Sequence, residues 1–335
     1  MKTLITGGAG YVGSTVASAC IDAGITPVIL DDLSTGRREF VEGRIFYQGD
    51  IADAGLVGTI FDDHPDIVAT IHCAAKIVVP DSVARPLTYY HENVAKTLRL
   101  IESLLESGCR RIVYSSSASI YRATEDLAVD ESSELAATSP YARTKVMVEW
   151  ILEDVARAYG LGVISLRYFN PIGSDPRLRT GLQDPQPTHA LGKLIEAVNE
   201  DRAFTITGTH WPTRDGSGIR DYIHVWDLAR AHVRAIERFD AVVAGGDVPF
   251  RAINLGTGRG TTVRELVAAF QNATGTQLAV TESGPRPGDA IGSYTRTDLA
   301  RELLDWEAEH SITDGIRDTV RWFEARARVL GERVR

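Results

Sequence analysis

The chain is poor in cysteine. Its 335 residues include only three, Cys20, Cys73 and Cys109, which lie far apart and form no C-x-x-C pair. An odd number of widely spaced cysteines excludes a disulfide framework and a cysteine-rich zinc site, so we expect no metal centre. The same scarcity favours a reducing compartment, and we expect a cytoplasmic protein.

Basic residues and long apolar runs are also in short supply. The net charge is −9 at pH 7, whereas a general nucleic-acid-binding surface needs a basic excess. No segment approaches the ~18–20 apolar residues of a membrane span. The opening MKTLITGG has no leader pattern of a charged region followed by an apolar one. We therefore expect neither nucleic acid nor membrane among the partners, while a few local arginines remain compatible with an anionic ligand.

Short β-branched runs alternate with helical patterns through the first half of the chain. Runs such as KTLITG, TPVILDD and RRIVYSSS close in Gly, Asp or Ser, and NVAKTLRLIESLLESG has apolar residues close to helical spacing. This alternation predicts an α/β fold with a Rossmann-like, doubly wound parallel sheet.

The composition changes after about residue 170. The segment NPIGSDPRLRTGLQDPQPTHA is rich in Pro, Gly and polar residues, which is typical of a ligand-binding segment. Further helices are expected around 188–200, 226–239, 262–273 and 311–328. We expect an NAD-binding domain over 1–170 and a smaller, mostly helical or mixed substrate domain over 171–335. Segments around 221–240 and 250–257 are expected to pack back on the first domain.

A glycine-rich turn opens the chain. LITGGAGYVGS places Gly7, Gly10 and Gly13 where a strand gives way to a helix. Glycines let the backbone approach a pyrophosphate, which then lies on the positive N-terminus of the helix. Asp31, about twenty residues on, would accept hydrogen bonds from an adenosine ribose and repel a 2′-phosphate. The pattern predicts a dinucleotide site and favours NAD over NADP.

Two further strand ends suit the same ligand. QGDI offers the Asp50 carboxylate to an adenine amino group and the Ile51 side chain to the adenine face. HCAAK, which covers 72–76, ends its strand in small residues that permit close approach of the backbone to a cofactor. The Cys73 thiol is expected to pack there rather than to react.

The segment SPYARTK contains a candidate acid–base pair. Pro140 suits a first helical turn, which puts Tyr141 and Lys145 on one face, one turn apart. A phenol has a pKa near ~10, and a nearby ammonium or an oxidised nicotinamide is expected to lower it. Such a phenolate could take a proton from an alcohol as hydride leaves the carbon. Ser117, at the end of the neighbouring strand, can hydrogen-bond the same hydroxyl.

These motifs together resemble those of a known family. TGGAGYVGS and the Ser…YxxxK set are similar to the extended short-chain dehydrogenase/reductases. SVARPLTYY, SSSASIY, SPYARTKVMVE, LRYFNPIG, PTRDGSGIRDYIHVWDLA and NLGTG are similar, more narrowly, to UDP-glucose 4-epimerases of galactose metabolism. The resemblance spans nearly the whole chain and implies an isomerase that interconverts UDP-glucose and UDP-galactose.

The resemblance also implies a mechanism. Tyr141 would deprotonate the sugar 4-hydroxyl while hydride passes from C4 to tightly held NAD, and the 4-keto sugar would rotate and regain the hydride on its other face. Lys145 would hold the nicotinamide ribose and tune Tyr141, and Ser117 would steady O4. A homodimer is implied, with a four-helix contact formed by helices 93–107 and 141–159 of each subunit.

The expected site residues fall into two sets. Those at the cofactor are Gly7, Gly10, Tyr11, Val12, Gly13, Asp31, Asp32, Ser34, Gly36, Asp50, Ile51, Cys73, Ala74, Ala75, Lys76, Ser115, Tyr141, Lys145, Tyr168 and Phe169. Those at the substrate are Ser117, Tyr141, Asn170, His189, Ala190, Thr205, Ile206, Thr207, Arg220, Arg286, Asp289 and Ser293. By resemblance, the two arginines would grip the diphosphate, the aspartate would bind the uridine ribose, and 205–207 would present backbone groups to uracil.

Four places depart from the family pattern, and one of them is PTHALG (187–192), which lacks the family's Leu and following Pro where the uridine wall is expected. Glu92 stands where many members have Asn, and Arg122 stands where Gly is usual. Ser293 occupies a position where some members carry a bulky Tyr, and a small side chain leaves room for a 2-acetamido group. Epimerisation of UDP-GlcNAc and UDP-GalNAc is therefore a further hypothesis, although local repacking around Tyr294 explains Ser293 equally well.

Other functions stay open at this point. Arg122 could hold a C6 carboxylate, which would fit a UDP-glucuronate 4-epimerase or a related nucleotide-sugar epimerase. A non-catalytic NAD-binding regulator on the same scaffold would not need Tyr141 or Lys145. A 4,6-dehydratase would need an acid pair after the serine strand, and SSSASIYR contains none.

Overall fold

The structure is a computed structural model that describes residues 1–184, 187, 189–285 and 291–332. Its strands are β1 (Lys2–Thr6), β2 (Thr26–Asp31), β3 (Ile45–Gln48), β4 (Ile67–His72), β5 (Arg111–Ser115), β6 (Ala128–Val129), β7 (Gly162–Tyr168), β8 (Asn170–Ile172), β9 (Phe204–Thr207), β10 (Ile219–His224), β11 (Phe250–Leu255), β12 (Gly260–Thr262), β13 (Val280–Ser283) and β14 (Tyr294–Thr295). Its α-helices are α1 (Tyr11–Asp22), α2 (Ala54–Asp63), α3 (Val79–Ala84), α4 (Pro86–Tyr90), α5 (Lys96–Glu106), α6 (Pro140–Tyr159), α7 (Ala190–Asn199), α8 (Val225–Glu237), α9 (Phe239–Val243), α10 (Val263–Thr274), α11 (Asp298–Leu304) and α12 (Ile312–Val329). A π-helical turn, His91–Ala95, joins α4 to α5. Within the described ranges, no helix combines the length and the apolar character that a membrane crossing requires.

Seven strands form one parallel sheet in the order β11-β7-β5-β4-β1-β2-β3. The strand order reverses between β1 and β4, and a crevice opens outside the carboxyl ends of strands at such a switch point. The predicted Rossmann-like, doubly wound sheet is confirmed.

Side chains that alternate along the strands contribute to two hydrophobic cores, one on each face of the sheet. On one face, Ile5 and Ile29 pack with residues of α1, α8 and α11. On the other, Leu4 and Val28 pack with residues of α2, α5 and α6. This in-and-out alternation covers both faces of the parallel strands and leaves only their ends accessible to a ligand.

Elements from the second half of the chain take part in this body. β11 extends the sheet beside β7, and α8 packs against α1. Other later elements surround a third core, to which α7, α10 and α12 contribute. The four helices expected after residue 187 correspond to α7, α8, α10 and α12, whereas a domain boundary at residue 170 stays a prediction.

Helix α6 has clear local start and stop signals. The Ser139 side chain accepts a hydrogen bond from the Ala142 N–H at 3.1 Å, and Pro140 occupies the first helical position. Gly160 ends the helix in a left-handed conformation with φ of +65°. These signals fix where Tyr141 and Lys145 emerge, at the carboxyl edge of the sheet.

Candidate active site

The turn between β1 and α1 leaves no room for side chains. Gly7 has φ of +72°, and a Cβ there would lie 2.6 Å from the Ala74 nitrogen. A Cβ on Gly13 would lie 2.2 Å from the Gly7 carbonyl oxygen. Gly10 precedes α1 without a capping side chain, so the first-turn amides of α1 face outward as they do in anion-binding turns. The backbone therefore has the tight turn that a pyrophosphate cradle needs, with Tyr11 and Val12 in the first turn of α1, and the binding of a pyrophosphate there stays a prediction.

Asp31 ends β2 beside this turn. Its carboxylate accepts hydrogen bonds from the Ala9 N–H at 2.9 Å and the Leu33 N–H at 2.8 Å. Burial raises its pKa, and the two backbone hydrogen bonds offset part of that rise. The carboxylate thus joins the glycine turn to the segment 32–36, which contains the predicted Asp32, Ser34 and Gly36.

Asp50 follows β3, and it has a protein partner that the sequence did not predict. Its Oδ2 lies 2.6 Å from Lys96 Nζ, which also contacts Glu92 at 2.7 Å. Burial opposes the charged form, but the hydrogen bonds from Lys96 and the Ala52 N–H outweigh it, and the pKa of Asp50 is lowered. Asp50, which is expected at an adenine amino group, therefore also belongs to an ion-pair cluster around Lys96. Glu92, one of the departures from the family pattern, is the second carboxylate of that cluster.

Asn93, in the π turn, secures the segment that follows β4. Its Oδ1 accepts a hydrogen bond from the Lys76 N–H at 2.8 Å, and its Nδ2 donates to the Lys76 carbonyl at 2.9 Å. Nδ2 also donates to Thr144 Oγ1 on α6 at 3.1 Å. The predicted cofactor segment Cys73, Ala74, Ala75 and Lys76 is thereby tied to the helix that carries Tyr141. Sequence reasoning missed Asn93, although its place directly before Val94 was a usable signal.

Ser117, Tyr141 and Lys145 lie together at this edge. The Tyr141 phenol lies close enough to Ser117 for that hydroxyl to lower its pKa, and Lys145 Nζ lies 5.9 Å from the centre of the Tyr141 ring. Lys145 is only 2% exposed, and its Nζ donates to the Ser115 carbonyl at 2.7 Å. The predicted hydroxyl, phenol and ammonium thus form one cluster.

Burial shifts the pKa values of both Tyr141 and Lys145. Burial raises the pKa of Tyr141, and the hydrogen bond with Ser117 offsets only part of that rise. Burial also lowers the pKa of Lys145 to about 8, against the opposing influence of Cys73 and Glu149. The lower pKa that a nearby ammonium and an oxidised nicotinamide are expected to give Tyr141 stays a prediction, because the protein alone shows the effect of burial.

Ser115 occupies the centre of a buried hydrogen-bond chain. Its Oγ lies 3.1 Å from Cys73 Sγ and 2.9 Å from His232 Nε2, which reaches it from α8. Tyr168, at the end of β7, stacks obliquely against His232 with ring centres 6.4 Å apart. His232 was not among the predicted residues, because nothing in its local sequence distinguishes it from a core histidine of α8.

The expected substrate residues lie on several elements. Phe169 is buried beside the site, and Asn170 begins β8, which pairs with β10. Arg220, on β10, donates from its guanidinium to the Ile219 carbonyl at 2.6 Å and to the Ile291 carbonyl at 3.0 Å. That contact brings Arg220 close to the segment that holds the half-buried Ser293.

The expected uridine residues are partly described. His189 caps α7 by accepting the Gly192 N–H at Nδ1 over 3.2 Å, and Ala190 begins that helix. Thr205, Ile206 and Thr207 lie in β9, which pairs with β13. Arg286 and Asp289 lie outside the described residues. The described ranges also contain no group of three or more His, Cys, Asp or Glu side chains placed to hold a metal ion.

Comparison with known proteins identifies the family. The model of the family described as "NAD dependent epimerase/dehydratase family" matches residues 3–256, which is more than half of the chain. The chain belongs to the NAD dependent epimerase/dehydratase family. The family resemblance and the use of NAD are thereby confirmed.

Individual relatives are similar to this epimerase-family chain along nearly its full length. The UDP-glucose 4-epimerase of Azospirillum brasilense is 40% identical over 334 residues, which are 99% of this chain and 94% of that protein. The crystal structure of a UDP-glucose-4-epimerase from Stenotrophomonas maltophila with bound NAD and formylated UDP-arabinopyranose superposes with a TM-score of 0.92 at 34% identity. The superposition covers 98% of this chain and 99% of the Stenotrophomonas maltophila chain. A UDP-Glc/GlcNAc 4-epimerase from Campylobacter jejuni superposes with a TM-score of 0.81 at 29% identity, over 96% of this chain and 99% of its own.

The cofactor that the family implies fits the residues of this epimerase-family enzyme. A Cβ would fill the cradle at Gly7 and Gly13, so these positions keep backbone amides accessible to a pyrophosphate. Asp31 presents a carboxylate at the end of β2, where a ribose diol would meet it. These are the features that the glycine spacing predicted.

Proposed function

We propose that the protein interconverts UDP-glucose and UDP-galactose by NAD-dependent epimerisation at C4. The observation that carries this proposal is the cluster of Ser117, Tyr141 and Lys145 beside a glycine turn shaped for a dinucleotide. The full-length similarity to UDP-glucose 4-epimerases supports the choice of substrate. The division at residue 170 into cofactor and substrate domains is part of the same proposal.

Each residue of the cluster has one task in this proposal. Ser117 holds the sugar O4 by a hydrogen bond, and Tyr141 takes the proton from that oxygen and later returns it. NAD, when bound, would supply a hydride acceptor and donor and a positive charge that opposes the effect of burial on the pKa of Tyr141. Lys145 adds a second positive charge, with its Nζ 5.9 Å from the centre of the Tyr141 ring.

The substrate diphosphate is held by arginine. Arg220 offers the planar, permanently charged guanidinium that suits phosphate oxygens. Arg286 and Asp289 remain sequence-based candidates for the diphosphate and the uridine ribose. Neutralising these positions one at a time is expected to raise the KM for a UDP-sugar while the kcat stays nearly constant.

Tyr141→Phe is the first test of the proposal. The change removes the proton-transferring oxygen while the ring is kept, so kcat for UDP-galactose should fall by about 10²–10⁴-fold. Tyr159→Phe, at the exposed end of the same helix, is the matched control and should leave the activity unchanged. NAD released from both proteins after denaturation is measured in parallel. Full activity of Tyr141→Phe would refute the assigned role, and a wild-type protein that holds NAD but turns over no UDP-sugar would favour the regulator.

Ser293 supports a second substrate class, the N-acetylated UDP-hexoses. Its small side chain is half-buried two residues after Ile291, whose carbonyl accepts from Arg220, and a similar protein is described as a UDP-Glc/GlcNAc 4-epimerase. Ser293→Tyr should abolish turnover of UDP-GalNAc while UDP-galactose is still epimerised. A wild-type protein that does not accept UDP-GalNAc contradicts this extension and leaves the main proposal intact.

A uronate substrate is less well supported. Arg122 is 62% exposed and pairs with Glu134 at 2.9 Å, so its charge is directed to the surface and already has a counterion. UDP-glucuronate belongs in the same assay panel, and turnover of this sugar alone would overturn the preference for neutral hexoses.

We also propose a homodimer formed through α5 and α6. Leu98 on α5 and Trp150 on α6 are apolar side chains that are 40% and 59% exposed, which is typical of a surface that a second subunit covers. Trp150→Glu should yield a monomer by light scattering, and Val280→Glu, an exposed position on β13, should not. A monomeric wild-type protein would refute this. A cytoplasmic location is part of the proposal and rests on the three free cysteines.

A further inference from the structure

A neutral, buried histidine reaches the rear of the active site from the opposite face of the sheet. His232 is 0% exposed on α8, and both of its ring nitrogens have partners. Nδ1 lies 2.9 Å from the Leu228 carbonyl oxygen one turn earlier in the helix. Nε2 lies 2.9 Å from Ser115 Oγ at the carboxyl end of β5.

These contacts fix the direction of the hydrogen-bond chain. A carbonyl only accepts, so Nδ1 must carry the proton and Nε2 must be the acceptor. Ser115 Oγ–H therefore donates to Nε2, and its oxygen lone pairs are left to accept the Cys73 S–H at 3.1 Å. The resulting order is Cys73 to Ser115 to His232 to the Leu228 carbonyl.

The chain keeps this direction across the working pH range. Burial lowers the pKa of His232 to about 4, and burial raises the pKa of Cys73 to about 11. Between those values both groups are neutral, so Ser115 always faces an acceptor on one side and a thiol donor on the other.

Ser115 also accepts a hydrogen bond from Lys145. Lys145 Nζ donates to the Ser115 carbonyl at 2.7 Å, and Ser117 follows two residues later on the same backbone. Any rotation of the strand end would displace the ammonium and the Ser117 hydroxyl together. We propose that His232 is a positioning residue that holds the end of β5 so that Lys145 and Ser117 keep their orientation toward Tyr141. This inference rests on the proposed epimerase activity.

His232→Phe and His232→Gln separate positioning from packing. Phe fills the volume of the ring without an acceptor, while Gln can return an amide oxygen close to the place of Nε2. We expect His232→Phe to lower kcat for UDP-galactose by about 10²-fold, because a small misplacement of reacting groups costs that much. The KM should stay nearly constant, and His232→Gln should recover most of the loss. The melting temperature and the NAD content of each variant are recorded to confirm that it is folded and loaded.

Ser115→Ala removes the same contact from the other side. If His232 acts through Ser115, the double variant should lose little more activity than the worse single variant, whereas independent effects would multiply. A folded His232→Phe with wild-type kcat, or single-variant losses that multiply, would overturn the inference. An inactive wild-type protein would instead refute the epimerase proposal, so the two failures are distinguishable.

Discussion

The most informative perturbation outside the reacting groups is Glu149→Gln. Glu149 lies on α6 one turn beyond Lys145 and is 3% exposed. Its carboxylate accepts from Arg167 at 2.6 Å and 3.0 Å and from Ser165 Oγ at 2.7 Å. The exchange keeps the shape and one acceptor oxygen, but it leaves the buried guanidinium without a counterion.

The expected loss of stability follows from that burial. Removing one partner of a buried ion pair typically costs about 3–5 kcal/mol of the free energy of unfolding. We expect about 3 kcal/mol, at the lower end, because the amide oxygen still accepts one hydrogen bond. Glu153→Gln is the matched control one turn further on, since Glu153 is 44% exposed and pairs with Arg157 at 3.2 Å. An exposed i,i+4 pair of this kind contributes about 0.3–0.5 kcal/mol.

The same variant should alter the pH dependence of catalysis. Burial lowers the pKa of Lys145 to about 8, and the negative charge of Glu149 opposes this. Neutralising Glu149 therefore lowers the pKa of Lys145 further, and the ammonium is lost at a lower pH. If the charged lysine is required, the alkaline limb of the kcat profile must move toward lower pH.

Two assays check this reasoning. Urea unfolding at neutral pH compares the two glutamine variants with the wild type, and kcat for UDP-galactose is followed across the range that brackets pH 8. Equal stability losses at Glu149 and Glu153 would refute the argument from the buried pair. An unmoved alkaline limb would refute the coupling between Glu149 and Lys145.

Three further outcomes are expected. Gly7→Ala should abolish NAD retention, because its Cβ would meet main-chain atoms at 2.6 Å, while Gly24→Ala, with φ of +76° and no atom within 4 Å, should keep the cofactor on release assays. Asp221→Asn should lower the free energy of unfolding, measured in urea, by about 3 kcal/mol. Both carboxylate oxygens accept hydrogen bonds from buried N–H or O–H groups, and the amide NH₂ that replaces one oxygen cannot accept them. The hydrogen bond to Asp227 raises the pKa of His310, so it contributes stability that is present below the ordinary value of about 6.5 and lost as the pH rises through the raised value. In His310→Gln, the free energy of unfolding should depend less on pH across this range. An unchanged pH dependence would contradict the contribution assigned to His310.

Sequence patterns were informative wherever a function depends on neighbours along the chain. The glycine turn, the strand that ends at Asp31 and the helical spacing of Tyr141 and Lys145 are local features. Pro140 predicted the first helical turn and so put the phenol and the ammonium on one helical face, and both residues lie in α6.

Long-range contacts could not be predicted in this way. His232 contacts Ser115, 117 positions earlier in the chain, and Lys96 forms an ion pair with Asp50 at 2.6 Å. The raised pKa of Tyr141 has the same origin, since desolvation is set by all the elements that pack around a group. The functions of Arg286 and Asp289 stay predictions from resemblance.

The π turn has a consequence for how the enzyme tolerates change in length. The Lys96 N–H donates to the His91 carbonyl five residues earlier, so this turn contains one residue more than an α-helical turn. Deleting one residue here would restore a regular helix from α4 into α5, and the helix itself would gain by it. Asn93 would, however, rotate by about 100° away from Lys76 and Thr144. The extra residue of the π turn thus orients the Asn93 side chain. An enzyme shortened by this residue should have a more regular helix and should retain its cofactor less well.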